Sequence, residues 1–212
     1  MLRRFNYKDC SPVATPFNPT YKLTQNSGRP IAQLEYAKVI GYLMYAMTST
    51  RPDIAFAVGK LSRYISNLSK FHWHVICQVL KCLNKTQDYG LSYLSYPSVI
   101  EGCSDASWIT NKEDYASMSG WVYLLGGGAV SWASKKQTCI TDSTMAAEFV
   151  ALATASKEAK WLRNLLLEGP LRPKPMSLLS IHCDSKSTLS RVYSYVYNEK
   201  SRHIGHRHAY VH

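Results

Sequence analysis

The sequence has none of the features that mark a secreted or membrane protein. No apolar run in its 212 residues approaches the roughly 20 residues of a membrane-spanning helix. No apolar signal region follows the first residues, Met1–Arg4. The six cysteines form no Cys-x-x-Cys pair, so we expect reduced thiols rather than disulfides. These absences predict an intracellular protein of the cytoplasm or nucleus that has no membrane partner.

Acidic residues are scarce as well. The chain has 14 Asp and Glu against 25 Lys and Arg, which gives a formal net charge of +11. Residues 1–100 carry +8 of this charge and residues 101–212 carry +3. With 46% apolar and 18% charged residues, the composition is that of a globular protein. The basic excess predicts a polyanionic partner, nucleic acid, although solubility alone would also explain it.

Periodicity divides the chain into three segments. Residues 1–30 are rich in proline and are predicted to be an extended lead-in. Residues 31–89 carry three helical patterns and are predicted to form a small helical unit. Residues 90–212 follow the order β, β, β, α, β, α, which predicts an α/β domain with a mixed sheet and packed helices. The three helical patterns lie at 33–47, after Pro52 and near 70–86.

Short β-type runs and two helical patterns make up the second half. The glycines at 126–128 are predicted to turn a hairpin. Ser143 or Thr144 is expected to begin a long helix, and Ser185 or Ser187 a short one. The expected strands lie at 91–96, 121–125, 129–133 and 178–183, with a possible short strand at 100–104.

Three acids occupy positions that a fold can bring together. Asp105, in Cys-Ser-Asp-Ala-Ser-Trp, and Asp184, in Ile-His-Cys-Asp-Ser, each follow a β-type run. Glu148, in Ser-Thr-Met-Ala-Ala-Glu-Phe, falls in the first turns of the long helix. Clustered carboxylates stay ionised together only if a cation lies among them. Hard Mg²⁺ ions do this, and two of them about 4 Å apart can drive in-line attack on a phosphodiester.

Each acid also has a structural explanation. Asp105 could be a turn residue, Glu148 an exposed first-turn acid favoured by the helix dipole, and Asp184 a helix cap. Only the order and spacing of the surrounding motifs favour a common site.

These motifs together resemble the ribonuclease H domain at the C-terminal end of copia-type (Ty1/copia) retrotransposon Pol polyproteins. The resemblance covers nearly the whole chain, and the order of the motifs makes it specific. Two upstream segments are similar to the connection that follows the reverse transcriptase of that family. The segments that carry the resemblance are 104–108, 119–137, 143–149 and 183–185, with 40–45 and 50–55 upstream.

The resemblance implies a ribonuclease H-like fold and a ribonuclease H-type endoribonuclease, which hydrolyses the RNA strand of RNA–DNA hybrids. It makes Asp105, Glu148 and Asp184 the catalytic ligands of two Mg²⁺ ions, or of Mn²⁺ in their place. Lys135 and Lys136 are expected to contact phosphates, although an ordinary solvated loop would show the same residues. Hybrid is read by its shape and its 2′-hydroxyls, so sequence preference should be low.

The sequence also departs from that family. A fourth acid is common there in a His-Ile-Asp context, whereas this chain has His203-Ile204-Gly205, so Gly205 marks a lost ligand position. The Tyr-x-Asp-Asp signature of a reverse transcriptase is absent, and so are protease and integrase segments. We therefore expect no polymerase, protease or integrase activity. The sequence stops at His212, where a terminal helix would continue, which is typical of a C-terminally truncated fragment.

Three functions therefore stay open. The first is a ribonuclease H impaired by Gly205, and the second is a catalytically dead remnant that still binds nucleic acid. The third is a protein-interaction module on the helical first half, which requires exposed apolar faces at residues such as Leu43, Met44 and Leu61. The oligomeric state is not predicted by the sequence.

Overall fold

Two compact units, Met1–Leu91 and Ser92–His212, make up the computed structural model of the chain. No helix in the described ranges is long and apolar enough to cross a membrane. The structure describes residues 1–29, 31, 33–94, 99–110, 115–169, 179–194 and 211.

The first unit is helical, and its helices begin and end close to the predicted positions. Ser69 begins α3 with a capping box: its Oγ accepts a hydrogen bond from the backbone of His72 at 3.3 Å, and its own backbone N–H donates to His72 Nδ1 at 3.0 Å. The α-helices are α1 (Gln33–Ser49), α2 (Ala55–Leu61) and α3 (Lys70–Lys85), and one-turn 3₁₀ helices lie at Leu2–Phe5, Pro52–Ile54 and Ser62–Tyr64.

The apolar faces of these helices form the core of the first unit. Leu43 and Leu61 are fully buried in it, whereas Met44 is 44% exposed. Arg51 is buried, and its guanidinium bonds to the carboxylate of Asp53 and to the carbonyl and hydroxyl of Thr86. Since two of the three residues named for a docking face lie inside the unit, this arrangement counts against the interaction-module hypothesis.

The second unit is built on a four-stranded mixed sheet of order β3-β2-β1-β4. The pairs β1–β2 and β2–β3 are antiparallel, and β4 runs parallel to β1. The sheet and its packed helices confirm the predicted α/β class and are consistent with the ribonuclease H-like fold. The elements are β1 (Ile100–Ser107), β2 (Met118–Leu125), β3 (Gly128–Lys136), α4 (Thr144–Glu168), β4 (Ser180–His182) and α5 (Lys186–Tyr193).

Two strand predictions need correction. The strand expected at 91–96 is wrong for residues 91–94, and residues 95–98 lie outside the described part of the chain. Leu94 N donates to the carbonyl of Gly126 at 2.7 Å; because this partner is a turn residue, the segment continues no strand ladder. The first sheet strand also runs three residues further than expected, so Asp105 lies within β1 and is not a turn residue.

Tyr123 on β2 anchors α4 to the sheet. Its side chain is fully buried, and its hydroxyl donates to the carbonyl of Ala155 on α4 at 2.7 Å. The ring lies against Gly102 of β1, where an added Cβ would be 2.3 Å from ring atom Cε1. Position 102 therefore needs glycine for the close approach of the ring.

Gly102→Ala is expected to lower the free energy of unfolding by about 2 kcal/mol, because the buried Tyr123 ring must move to accept the methyl group. Gly120→Ala is the matched control on β2, since its Cβ would meet nothing closer than 3.8 Å. Denaturant unfolding of both variants measures the difference. If both variants lose the same free energy of unfolding, the contact with Tyr123 does not constrain position 102.

Candidate metal and active site

The parallel pair β1–β4 sets the positions of Asp105 and Asp184. The last residue pair in its register is Cys103 with His182, so Asp105 and Asp184 each lie two residues further along adjacent strand paths. Side chains two residues apart along a strand point to the same face. Both aspartates are exposed. This register brings two residues that are distant in sequence to one edge of the sheet.

Glu148 reaches the same edge from the start of α4. Ser143 caps this helix and accepts a hydrogen bond from Ala146 N at 3.1 Å. Glu148 is partly buried, and its Oε2 atom is buried without a hydrogen-bond partner among the described residues. A buried carboxylate oxygen without a donor is costly. A cation at this position would satisfy it.

Two side-chain contacts hold the start of α4 in place. The buried Gln137, just after β3, donates from Nε2 to Ser119 Oγ on β2 and to the carbonyl of Ala147, both at 2.9 Å. On the other side, Thr188 Oγ1 of α5 donates to the carbonyl of Met145 at 3.3 Å. The helix turn that carries Glu148 is thus tied both to the sheet and to the helix that follows Asp184.

The potential ligand atoms of Glu148, Cys183 and Asp184 all lie within 4.8 Å of one another. Asp105 is not in this tightest set, but it is close enough to act electrostatically on both Glu148 and Cys183. The three predicted acids therefore meet at one site. The carboxylate oxygens suit Mg²⁺, which prefers hard oxygen ligands, and the unpartnered Oε2 of Glu148 supports that fit.

The pKa of Glu148 is raised to about 7. Burial is the largest cause, and the negative charges of Asp105 and Asp184 add to it, while the backbone amide of Ala106 opposes it. The folded, metal-free protein therefore holds a proton on Glu148 in the range between its ordinary pKa of 4.5 and about 7. Because the unfolded chain has lost that proton, the free energy of unfolding should fall as pH rises through this range.

We expect Glu148→Gln to stabilise the metal-free protein at pH 8 and to leave it unchanged at pH 5. The full rise in the pKa of Glu148 would correspond to a larger gain in the free energy of unfolding at pH 8. Solvent screening reduces this gain to roughly 1–2 kcal/mol. Thermal unfolding at the two pH values, in the presence of a chelator, measures it. A gain of the same size at pH 5 would show that the ionised carboxylate is not the cause.

The other residues predicted from the sequence, Lys135, Lys136 and Gly205, are not part of the group of acids. Lys135 and Lys136 end β3 and are exposed. The ammonium of Lys135 lies 5.2 Å from the centre of the Trp121 ring, an arrangement typical of a cation–π contact. Gly205 lies outside the described residues. The sequence did not single out two further residues: Cys183 lies among the potential ligand atoms, and Gln137 bonds to the backbone of Ala147, the residue before Glu148.

Comparison with known proteins places these observations in a family. The chain is 34% identical over its full length to the Retrovirus-related Pol polyprotein from transposon TNT 1-94 of Nicotiana tabacum. It is 32% identical over 96% of its length to the corresponding polyprotein from transposon RE2 of Arabidopsis thaliana. The chain belongs to the copia-type retrotransposon Pol polyproteins. It spans 16% and 14% of the length of these two copia relatives.

A shorter relative matches the same copia-type sequence over most of its own length. It is Secreted RxLR effector protein 161 of Plasmopara viticola, which is 42% identical over 128 residues, or 60% of this chain and 90% of that protein. No protein-family profile matches the chain. No solved structure matches it either.

Proposed function

We propose that the second unit of this copia-type chain is a ribonuclease H that hydrolyses the RNA strand of RNA–DNA hybrids. The proposal depends on one observation: Asp105, Glu148 and Asp184 meet at the edge of a mixed sheet, where one carboxylate oxygen is buried without a donor. Carboxylates gathered in this way stay ionised together only if a cation lies among them. The copia-type relatives support the retrotransposon origin of such a domain.

In this proposal Asp105, Glu148 and Asp184 hold two Mg²⁺ ions, for which Mn²⁺ can substitute. The ions would activate a water and stabilise the leaving 3′ oxygen. The exposure of Asp105 and Asp184 leaves room for a phosphodiester beside them. Glu148 must lose its proton to bind a cation, and since its pKa is about 7, cation affinity should rise with pH up to neutrality.

Nucleic-acid binding in this proposal comes from the basic residues. Lys135 and Lys136, at the exposed end of β3, pair with Ser119 and Met118 of β2, and β2 in turn pairs with β1, the strand that carries Asp105. The first unit adds twelve further Lys and Arg side chains, which give residues 1–100 their net charge of +8. Phosphate contacts of this kind position the hybrid and carry no sequence information.

Cleavage and binding assays on the purified chain test this function. We expect release of short RNA products from an RNA–DNA hybrid with Mg²⁺ and none from double-stranded DNA. Binding should weaken steeply with added salt because counterions are released. Salt-sensitive binding without cleavage in Mg²⁺ or Mn²⁺ would favour the catalytically dead remnant. Binding that is flat with salt would contradict both functions.

The second candidate, the dead remnant, rests on Gly205, because the resemblance aligns this residue with the fourth acid of the family. We expect Gly205→Asp to increase cleavage in Mg²⁺, while wild-type activity is low and is partly restored by Mn²⁺, which is less strict about geometry. Gly205→Asn is the matched control, because it adds the same bulk without the charge. If the wild type cleaves strongly in Mg²⁺ and neither variant changes the rate, three acids suffice.

A further inference from the structure

The tightest group of metal-ligating atoms at the site contains a thiol. Cys183 Sγ lies within 4.8 Å of carboxylate oxygens of both Glu148 and Asp184, and Asp105 is outside this group. Cys183 is partly buried, and like every other cysteine in the chain it forms no disulfide. The donor set is therefore mixed, with one sulfur and two carboxylates, where the proposed ribonuclease chemistry uses oxygen alone.

A donor set that includes sulfur prefers different metal ions than a donor set made of oxygen atoms alone. Thiolate sulfur is a soft ligand that suits Zn²⁺ and related ions, whereas Mg²⁺ takes hard oxygen ligands. The buried Oε2 atom of Glu148 has no hydrogen-bond partner among the described residues, and a cation at this place would satisfy it. Cys183 adds a sulfur donor to that same place.

We propose that Glu148, Cys183 and Asp184 form a binding site for Zn²⁺ and similar borderline-soft divalent ions, with the Cys183 sulfur as a direct ligand. Three protein ligands leave a fourth tetrahedral position open to water. The site shares Glu148 and Asp184 with the oxygen set and differs from it in having the Cys183 sulfur where that set has Asp105. It does not depend on the chain being a ribonuclease.

The geometry needs only small side-chain movements. Bonds of about 2.0–2.3 Å to Zn²⁺ place tetrahedral ligand atoms roughly 3.5 Å apart, and the three atoms are now at most 4.8 Å apart. Cys183 and Asp184 are adjacent in the chain, and Glu148 is held opposite them by the contact of Thr188 with Met145. On binding, the Cys183 thiol and, where it is protonated, the Glu148 carboxyl release their protons to solvent, and the thiolate and the two carboxylates then bind the ion.

Shared ligands predict competition between ions. Zn²⁺ held by Glu148 and Asp184 removes two of the three carboxylates that Mg²⁺ would use. If the proposed ribonuclease activity is present, micromolar Zn²⁺ should therefore inhibit it, and Cys183→Ser should relieve the inhibition. Only this consequence rests on the proposed function.

Titration of the reduced, metal-free chain with Co²⁺ tests the site by a readout that is independent of activity. Cobalt bound to a thiolate gives a near-ultraviolet charge-transfer band, and added Zn²⁺ should bleach it by displacement. We expect the band in the wild type at one ion per chain and its loss in Cys183→Ser. Glu148→Gln and Asp184→Asn should keep some of the band but weaken Co²⁺ binding by roughly tenfold or more.

Cys103→Ser is the matched control, because Cys103 is an exposed thiol on the neighbouring strand β1 and should leave the band unchanged. Circular dichroism confirms that each variant is folded. The proposal is overturned if the band persists in Cys183→Ser, if it depends on Cys103, or if the folded wild type gives no band at all. Failure of hybrid cleavage with the band intact would count against the proposed ribonuclease alone.

Discussion

Replacement of Asp105 by Asn is expected to reduce Mg²⁺-dependent cleavage of RNA–DNA hybrid by about 10³-fold or more, which corresponds to about 4 kcal/mol of transition-state stabilisation. Asn keeps the shape of the side chain but removes the charge that would hold the metal ions. Asp105 is exposed within β1 and pairs with Gly120 in the backbone ladder. The side chain therefore contributes little to the fold, so loss of activity should come without loss of stability.

Asp142→Asn is the control for Asp105→Asn. Asp142 is also an exposed acid in the second unit, just before the start of α4, but it is not among the grouped ligands. We expect wild-type kcat/KM for this control at saturating Mg²⁺. If Asp105→Asn cleaves hybrid as well as Asp142→Asn does, Asp105 is not a metal ligand and the ribonuclease proposal fails.

Much of the fold follows from local signals in the sequence. Ser69 and Ser143 each cap the helix that the apolar periodicity predicts after them. The glycines at 126 and 127 have φ values of 59° and 78°, as the predicted hairpin turn requires. Gly126 is doubly constrained, since an added Cβ would lie 2.0 Å from the carbonyl oxygen of Leu94.

Other features depend on partners that are distant in sequence. The segment 91–94 has the alternation of a strand, but its Leu94 amide bonds to a turn glycine rather than to a strand. Sequence periodicity shows where polar and apolar residues alternate, but it does not show which other segment they pair with. Likewise, Asp105 could be an end-of-strand residue or a turn residue until the pairing of β1 with β2 was known.

The three acids of the site could be predicted from the sequence, but the residues that support them could not. Asp105, Glu148 and Asp184 stand out because the order and spacing of their motifs resemble one family, even though Asp105 lies within β1 and not at its end. Gln137 and Cys183 also follow strands directly, β3 and β4, but neither residue type by itself marks a shared site. Gln137 matters because its amide reaches Ala147 across ten residues, and Cys183 matters because its sulfur lies within 4.8 Å of ligand atoms of Glu148 and Asp184. Such roles arise only from tertiary contacts.

Gln137→Ala is the other change for which we expect a large effect. It removes both hydrogen bonds from Nε2, to Ser119 and to Ala147, and leaves a cavity at a buried position. Two lost buried hydrogen bonds and the cavity together should lower the free energy of unfolding by about 2–4 kcal/mol. The turn that carries Glu148 would also lose its tie to β2.

The positioning role of Gln137 makes a prediction that lost stability alone does not. At a temperature where every variant is folded, Gln137→Ala should bind Co²⁺ at least several-fold more weakly than the wild type, because Glu148 is no longer fixed opposite Asp184. Gly102→Ala is the comparison, since it disturbs the contact between α4 and the sheet at Tyr123 and Ala155, about two turns along α4 from Glu148. If the two variants lose stability equally and bind Co²⁺ equally well, Gln137 supports the fold and does not position Glu148. If only Gln137→Ala weakens binding, the amide of Gln137 is part of what holds the metal-binding carboxylate in place.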